Sequence, residues 1–412
     1  MPTPLDAAYL LLGAITAPWW MRKQRGGWSE RFGKIEHMLT GAAKPAGRPR
    51  ILIHAVSVGE TAALRTLVPI LLETHDVVIS TTTDTGLARA RALYEDRCPI
   101  VRYPLDASWA VRRFLDSVRP DAVALTELEV WPQFVKACTK RGIPVAVING
   151  RLSANSFKGY RRFRPLIGPT FRRLAAVGAQ DDTIAARFRE MGAAKVTVTG
   201  SMKWDNAAAT ATDEDERAAA DIAQSLGIDR GRPLVVAGST GPGEEALLAK
   251  AIEPIEGAQL LCAPRKPERF DEAASALTDP VRRSDPKPRD DTRHYLLDTL
   301  GELRAAYLLA DVVVMGRTFP QPDTKPLGGS DPTEPAGLGK PVLLGPDVAN
   351  FASVVETLES AHAVARTSVE RLTDDLRRLL ACPGDLGSSA RDCVQAQLGA
   401  SRRTAELIKS LL

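Results

Sequence analysis

A single carboxylate, Glu60, stands where an apolar run gives way to a helical pattern. The run ILI at 51–53 leads into HAVSVGE at 54–60 and then into TAALRTLVPILL. Ligands of open α/β sheets bind outside the carboxyl ends of the strands, so a carboxylate there is placed to take or give a proton in a site. In the first turn of a helix, the same acid can also do no more than complement the helix dipole. The residue pattern leaves both interpretations open.

The strand and the helix around Glu60 follow from simple patterns. The run ILI is typical of a buried parallel strand, and Gly59 is predicted to permit the tight turn that follows it. Apolar residues then recur at the i, i+3, i+4, i+7 spacing of one helix face, at Leu64, Leu67, Val68 and Leu71. The predicted unit is therefore strand, turn, helix.

Glycine-rich and cationic residues follow predicted strands in the second half of the chain. The segment LVVAGSTGPGEEALL reads as strand, loop, helix, and backbone N–H groups at a helix start form an anion site. The loop residues in question are Gly238, Ser239, Thr240, Gly241 and Gly243. Arg265 follows the next strand in APRKPERF, where a guanidinium can hold a phosphate or a carboxylate through two parallel hydrogen bonds.

A further glycine-rich segment reads GGSDPTEPAGLGKPVLLGP. Gly328 and Gly329 precede a predicted helix capped by Ser330 or Asp331, with Glu334 in its first turns. A capping box would explain this acid without any function. The same glycine-rich, acid-bearing signature recurs in nucleotide-sugar transferases, so a binding role is the favoured interpretation.

Short apolar runs alternate with helical patterns beyond residue 50, as in a parallel sheet with helices on both faces. The alternation stops once, in an Ala-rich, acidic segment, and restarts with PLVVAGST. We therefore predict an α/β fold of two doubly wound domains facing a cleft that holds the ligand. The predicted divisions are an N-terminal membrane-associated segment 1–35, a first domain 36–202, a linker 203–231, a second domain 232–395 and a C-terminal helix 396–412.

The composition is that of a globular protein. The chain has 412 residues, 44% of them hydrophobic and 25% charged, and its net charge of +4 gives no indication of nucleic acid as a partner. The five cysteines form no CxxC pair, which fits buried thiols in a reducing compartment. They are Cys98, Cys138, Cys262, Cys382 and Cys393.

The N-terminus departs from this composition. The segment AAYLLLGAITAPWWM at 7–21 is mostly apolar and ends in Trp19 and Trp20, and a basic stretch RKQR follows. It is shorter than the roughly 20 residues that a full span needs. It also lacks the basic start and cleavage site of a signal peptide. We predict an interfacial anchor with the body of the chain in the cytoplasm, although a helix docked on its own domain fits the same residues.

The chain resembles the bacterial 3-deoxy-D-manno-octulosonic acid (Kdo) transferases from its N-terminus to about residue 352. The resemblance rests on segments that occur in the family's order: HAVSVGE, TELEVWPQF, NGRLS, VTGSMKWD, GST-x-x-GEE, APRKPERF, DTLGEL before a Tyr and LLAD, and GGSDPTEPAGLGKPVLLGP. Any one of them is weak, whereas the ordered set is specific.

The resemblance implies a GT-B fold and an inverting transfer of Kdo from CMP-Kdo to a lipid A precursor, lipid IVA. It also implies attachment to the cytoplasmic face of the inner membrane and no need for a metal or other cofactor. Glu60 then corresponds to the general base, and Glu127, with Glu129 two residues on, to an acid at the acceptor site. The residues that correspond to the donor site are Pro264, Arg265, Leu300, Gly301, Glu302, Asp331, Pro332, Thr333 and Glu334.

Two departures from the family pattern concern the donor side. Ser330 and Asp331 stand where the family usually has His-Asn, and GRTFPQPDTKPLGG replaces a shorter apolar stretch. Two other classes also fit the architecture. A nucleotide-sugar 2-epimerase shares the two domains but would not explain the Trp-flanked anchor, and an inactive relative would only bind glycan or lipid.

Overall fold

The computed structural model describes residues 26–39, 47–207, 211–289, 291–321 and 325–412. The described chain forms two compact units. Unit 1 comprises the chain up to Asp205 together with Gly399–Leu412, and unit 2 comprises Asn206–Leu398. The predicted anchor at 7–21 lies outside the described residues. Within them, no helix combines the length and the hydropathy that crossing a bilayer requires.

Each unit is built on one parallel sheet of seven strands, ordered β3-β2-β1-β4-β5-β6-β7 in unit 1 and β10-β11-β9-β8-β12-β13-β14 in unit 2. The predicted doubly wound α/β fold is therefore confirmed. The strands are β1 Arg50–His54, β2 Asp76–Thr81, β3 Ile100–Arg102, β4 Ala122–Thr126, β5 Val145–Gly150, β6 Ala176–Ala179, β7 Val196–Val198, β8 Leu234–Thr240, β9 Gln259–Pro264, β10 Val281–Arg282, β11 His294–Leu296, β12 Val312–Met315, β13 Val342–Leu344 and β14 Ala365–Arg366.

Helices connect the strands and cover both faces of each sheet. They are α1 Trp28–Arg31, α2 Val58–Ala63, α3 Leu67–Leu72, α4 Asp84–Tyr94, α5 Ser108–Val118, α6 Pro132–Lys140, α7 Ala154–Arg162, α8 Arg164–Phe171, α9 Asp182–Met191, α10 Met202–Ala207, α11 Asp213–Leu226, α12 Glu244–Ile252, α13 Phe270–Ser275, α14 Leu303–Leu309, α15 Thr333–Gly337, α16 Ala352–Ser360, α17 Leu372–Ala381, α18 Leu386–Ala396 and α19 Ala400–Lys409. Short 3₁₀ turns lie at Glu36–Leu39, Pro267–Arg269 and Ala349–Phe351.

The core of unit 1 follows from the alternation of side chains along β1. Leu52 faces one apolar cluster of the sheet, whereas Ile51 and Ile53 face the other. The second cluster includes Leu67 of α3 and Ile408 of the C-terminal helix α19. Both faces of the sheet are thus buried, which leaves the strand ends as the places where polar side chains can gather.

The turn after β1 does not depend on glycine, contrary to the prediction for Gly59. Gly59 is not among the glycines with positive φ and lies inside α2. Ser57 starts the helix instead as its N-cap, because its backbone is extended and its hydroxyl accepts the N–H of Glu60. The helical pattern after Glu60 forms two short helices, and Leu64 and Leu67 are both fully buried.

The acidic segment between the two sheets is largely helical. Helix α11 starts at a capping box formed by Thr212 and Asp215 and ends at Gly227, whose φ is 69°. Its apolar face buries Ile222 and Leu226. This helix belongs to unit 2, so much of the segment 203–231 forms part of that unit.

Candidate active site

The Glu60 carboxylate is held at the carboxyl end of β1 by three neutral donors. Its Oε2 accepts the Val56 N–H at 3.0 Å and the Thr126 hydroxyl at 2.5 Å. Its Oε1 accepts the Ser57 hydroxyl at 2.9 Å. Since each carboxylate oxygen can accept about two hydrogen bonds, Oε1 keeps one acceptor position for a further donor. The side chain is therefore fixed in orientation and can still take a proton.

Two more carboxylates belong to the same edge of the sheet. Strand β4 pairs with β1, and Glu127 follows β4 directly with a left-handed φ of 51°. Burial raises the pKa of Glu127, and the negative charge of Glu60 raises it further. Burial also raises the pKa of Glu129, although a hydrogen bond from the Trp131 indole at 2.8 Å opposes this. We call Glu60, Glu127 and Glu129 the acid cluster.

Two cations face the acid cluster, and sequence reasoning did not assign either of them to it. Both Lys203 and Arg151 lower the pKa of Glu127. The backbone places them there, because the Arg151 N–H donates to the Glu127 carbonyl at 3.3 Å. The Asn149 side chain accepts the N–H of Met202 at 3.1 Å and so positions the start of α10. The signal was present in the NGRLS and VTGSMKWD motifs, each of which begins in the last residues of a strand.

His54, the first residue of HAVSVGE, is structural. It is fully buried and stacks on Tyr103 with ring centroids 3.7 Å apart. Burial lowers its pKa to about 3, so the ring is neutral at physiological pH. Its Nδ1 lies 3.1 Å from the Ser80 carbonyl oxygen, which can only accept and therefore requires the proton on Nδ1. His54 is thus unsuited to acid–base work.

The carboxyl edge of unit 2, meaning the carboxyl ends of β8, β9 and β12, brings several predicted donor residues together. Strand β8 lies between β9 and β12, and Pro264 pairs with Thr240 across β8 and β9. The Arg265 N–H donates to the Thr240 carbonyl at 3.1 Å. The Ser330 hydroxyl donates to the Ser239 carbonyl at 3.3 Å. Three segments far apart in the sequence therefore meet at the end of β8.

The glycine-rich loop after β8 already holds a carboxylate of the chain itself. Glu244 accepts the N–H groups of Gly241 at 2.7 Å, Arg317 at 2.6 Å and Phe319 at 3.0 Å. Burial raises the pKa of Glu244, and these three donors oppose the shift. The Gly241 N–H, predicted to be available to a ligand anion, is thus engaged within the protein. Gly238 is needed for packing, since a Cβ there would lie 2.0 Å from the Tyr307 hydroxyl.

The motif APRKPERF contains two arginines in opposite situations. Arg269 is buried and pairs with the fully buried Glu245 at 2.9 Å. Glu245 also accepts the Thr240 hydroxyl at 2.6 Å, so the Thr240 side chain is engaged internally. The Arg265 side chain is exposed, and its guanidinium makes no hydrogen bond or ion pair with any described residue. Arg265 is therefore the arginine of this motif that can reach a ligand.

The predicted tripeptide at 300–302 likewise contains both exposed residues and a residue that is engaged within the protein. Leu300 is 75% exposed, and Gly301 has a left-handed φ of 90°. Glu302 receives two guanidinium donors from Arg283 and the hydroxyl of Thr299. Burial would raise the pKa of Glu302, but these hydrogen bonds outweigh it and lower the pKa. A ligand can therefore contact the backbone of this turn more readily than the carboxylate of Glu302.

The remaining predicted donor residues lie at the start of α15. Asp331 accepts the N–H of Thr333 at 3.0 Å and its hydroxyl at 2.8 Å, whereas Pro332 is the backbone N-cap. Glu334 is partly exposed and lies 3.6 Å from the Arg304 guanidinium. The charges of Glu334, Asp331 and Arg265 all act on the pKa of the buried Tyr307, which burial raises. These groups therefore lie near one another around Tyr307.

The sequence of the chain is similar to named transferases. Residues 26–206 match the family model described as 3-deoxy-D-manno-octulosonic-acid transferase (kdotransferase). A transferase of that name from Bordetella pertussis is 34% identical, with 95% of each chain covered. Another from Haemophilus influenzae is 27% identical, covering 99% of this chain and 96% of the relative.

Solved structures share the architecture at low identity. The Anabaena protein HepE in complex with UDP-glucose has a TM-score of 0.57 at 14% identity, covering 88% of this chain and 99% of that one. The UDP-GlcNAc 2-epimerase from Neisseria meningitidis has a TM-score of 0.57 at 12% identity, with the same coverage. The two parallel sheets with their covering helices have the GT-B fold that these structures share. The chain belongs to the 3-deoxy-D-manno-octulosonic acid transferase family and is a glycosyltransferase that acts in Kdo transfer.

Proposed function

We propose that the protein transfers Kdo from CMP-Kdo to a hydroxyl of the lipid A precursor lipid IVA, with inversion and with Glu60 as the general base. The observation that carries the proposal is the acid cluster, in which the Glu60 carboxylate is fixed by Val56, Ser57 and Thr126 and keeps an open position on Oε1. A carboxylate held in this way is suited to accept the proton of a sugar hydroxyl.

The step is a single displacement. Oε1 of Glu60 takes the proton of the acceptor hydroxyl while the oxygen of that hydroxyl forms a bond to C2 of Kdo. The bond between C2 and the phosphate oxygen breaks, and CMP leaves with the electron pair from the opposite face. Arg265 meets the charge that develops on the phosphate, because fixed cationic donors stabilise a leaving anion. Glu127 and Glu129 hold acceptor hydroxyls beside the base.

The experiment is a transfer assay. The protein is incubated with CMP-Kdo and lipid IVA, and the lipid is analysed by mass spectrometry. We expect the lipid to gain the mass of one or more Kdo residues. A lipid of unchanged mass would contradict the proposal. Conversion of UDP-GlcNAc to its 2-epimer would identify an epimerase, and donor binding without any product would identify an inactive binder.

We propose further that the enzyme works at the cytoplasmic face of the inner membrane, held by residues 7–21. An exposed apolar and basic surface around α7 supports contact with a lipid acceptor in a membrane. Phe163 is 59% exposed and Leu166 is 74% exposed, and α7 has no buried residue. Lys158, Arg161 and Arg162 add positive charge on the same helix.

Vesicle binding tests this location. Deleting residues 7–21 should release the protein from vesicles that contain anionic lipid while its thermal unfolding stays cooperative. If the shortened chain still binds, replacing Phe163 and Leu166 with Ser should then release it. Binding that survives both changes would contradict the proposed attachment.

A further inference from the structure

A second arginine, Arg317, lies at the carboxyl edge of unit 2. It follows β12 after one intervening residue, Gly316, and has a φ of 64°. Residues other than glycine rarely adopt this left-handed backbone, and they keep it only where the surrounding structure enforces it. Such a position at the edge of a binding sheet calls for a functional explanation.

The surrounding structure holds the Arg317 backbone on both sides. Its N–H donates to the buried Glu244 carboxylate at 2.6 Å, and its carbonyl accepts the Gly329 N–H at 2.8 Å. The stem of its side chain lies against Gly241, where a Cβ would come within 3.2 Å of the Arg317 Cγ. Glu244 therefore determines where the Arg317 side chain begins.

The guanidinium of Arg317 keeps donors for a ligand. It is partly exposed and makes one hydrogen bond, from Nη2 to the Leu327 carbonyl at 2.9 Å, within the described residues. Because a guanidinium carries five N–H donors, most of them remain available.

Arg317 and Arg265 flank one strand end. Strand β8 lies between β9, which Arg265 follows, and β12, which Arg317 follows. Backbone hydrogen bonds tie both neighbours to β8, from Arg265 to Thr240 at 3.1 Å and from Gly316 to Gly238 at 2.8 Å. The two arginines therefore approach the end of β8 from opposite sides.

We infer that Arg317 is a second anion-binding residue of the donor site and that it holds the sugar carboxylate, while Arg265 holds the phosphate. This inference rests on the proposed function, because CMP-Kdo carries a carboxylate and a phosphodiester on the same sugar carbon. The strands that precede the two arginines are two strand spacings apart, about 10 Å between their backbones. Each arginine carries its guanidinium on a long, flexible stem, so the two side chains can reach one ligand at the end of β8. Two anionic groups borne by one carbon can then be held by one arginine each.

The test compares two ligands that differ in the sugar acid. The affinities of CMP-Kdo and of CMP are measured by calorimetry without acceptor for the wild type, Arg317→Ala and Arg265→Ala. Arg317→Ala should lower the affinity for CMP-Kdo by about 10- to 100-fold and leave the affinity for CMP unchanged. Arg265→Ala, the matched control, should weaken both ligands. Arg317→Lys should recover part of the preference for CMP-Kdo, because it keeps the charge but loses the planar fork.

Arg317→Gly separates binding from folding, since glycine adopts the left-handed backbone freely. It should fold as well as the wild type and show the same selective loss as Arg317→Ala. Suppose that the wild type is active and that the Arg317 variants fold. If these variants then change the affinity for both ligands equally, or for neither, the role of Arg317 is overturned while the proposed function stands. A wild type that transfers no Kdo and does not distinguish CMP-Kdo from CMP would overturn the proposed function together with this inference.

Discussion

The two sheets end in polar edges of similar composition, yet the two edges differ in how their charges are satisfied. In unit 1, Glu127 and Glu129 are partly buried beside Glu60, and burial together with like charge raises their pKa values. In unit 2, Glu244 is surrounded by backbone N–H donors and Glu245 by Arg269. An acid at a strand end is therefore not a functional group by position alone. Glu60 and Glu244 each accept two hydrogen bonds on Oε2 and one on Oε1, and what distinguishes them is that Glu60 is partly exposed whereas Glu244 is buried.

Backbone strain occurs at both edges. Seven non-glycine residues of the described chain have positive φ, and four of them lie at the ends of strands that form the two candidate sites. They are Glu127, Asn149, Ser239 and Arg317. Such strain costs of order 1–3 kcal/mol per residue and tends to cluster at functional sites. This is the feature that the two edges share.

The largest effect that would sharpen the contrast is expected at Glu60. Glu60→Gln keeps the shape of the side chain but removes its basicity, so kcat should fall by roughly 10²–10⁴ with donor affinity retained. Steady-state kinetics and donor titration measure the two quantities. Glu244→Gln is the matched change in unit 2, where the acid has a structural role, and it should lower stability more than it lowers kcat in the folded fraction. Near-normal turnover of Glu60→Gln would reduce Glu60 to a helix-terminus acid.

Arg269→Ala should destabilise the carboxyl edge of unit 2. It leaves the fully buried Glu245 without its ion pair, and breaking a buried pair typically costs about 3–5 kcal/mol of the free energy of unfolding. Urea unfolding monitored by circular dichroism measures this loss. If the variant were as stable as the wild type, the buried pair would not be what holds the end of β8 in place.

Arg265→Ala, four residues earlier in the same motif, should have the opposite profile. Its exposed guanidinium makes no hydrogen bond or ion pair within the part of the chain that the structure describes, so the free energy of unfolding should stay within about 0.5 kcal/mol of the wild type. The donor KM should rise by about 10- to 100-fold, because a hydrogen bond to a charged group contributes about 1.5–3 kcal/mol. A stability loss like that of Arg269→Ala would show that the two arginines do not differ as described.

The smallest expected effect is on how stability depends on pH, and its sign is opposite at the two edges. Folding raises the pKa of Glu127, so its contribution to stability is present below the unfolded value of about 4.3 and is lost as pH rises through the folded value. Glu127→Gln should therefore be more stable than the wild type at neutral pH, and the difference should shrink in acid. Folding lowers the pKa of Glu302, so its contribution is present above the unfolded value and is lost as pH falls.

Glu302→Gln is accordingly the control for that measurement. It should be less stable than the wild type at neutral pH, with the difference again shrinking in acid. Melting temperatures of the wild type and both variants, measured from about pH 4 to about pH 8, provide the comparison. Shifts of the same sign in both variants would contradict the difference between the two edges.

Much of the fold and of the family could be predicted from the sequence. The alternation of buried runs such as ILI with helical patterns predicts parallel sheets, because both faces of such strands are buried and periodicity is local. The ordered motifs identify the Kdo transferases. The roles of Glu60, Glu127 and Arg265 stay predictions, and their positions at strand ends follow from the same local patterns.

Only the tertiary structure decided which of these polar groups are free to act. The donors that hold Glu60 include Thr126, 66 residues away in the chain, and Glu244 is satisfied by N–H groups of Arg317 and Phe319, 73 and 75 residues away. Arg265 and Arg269 belong to one motif, yet one is exposed and the other is buried against Glu245. Hydrogen bonding and exposure both depend on groups that meet only when the sheet assembles, so no local pattern in the sequence could distinguish an acid that the fold buries from one that a substrate can reach.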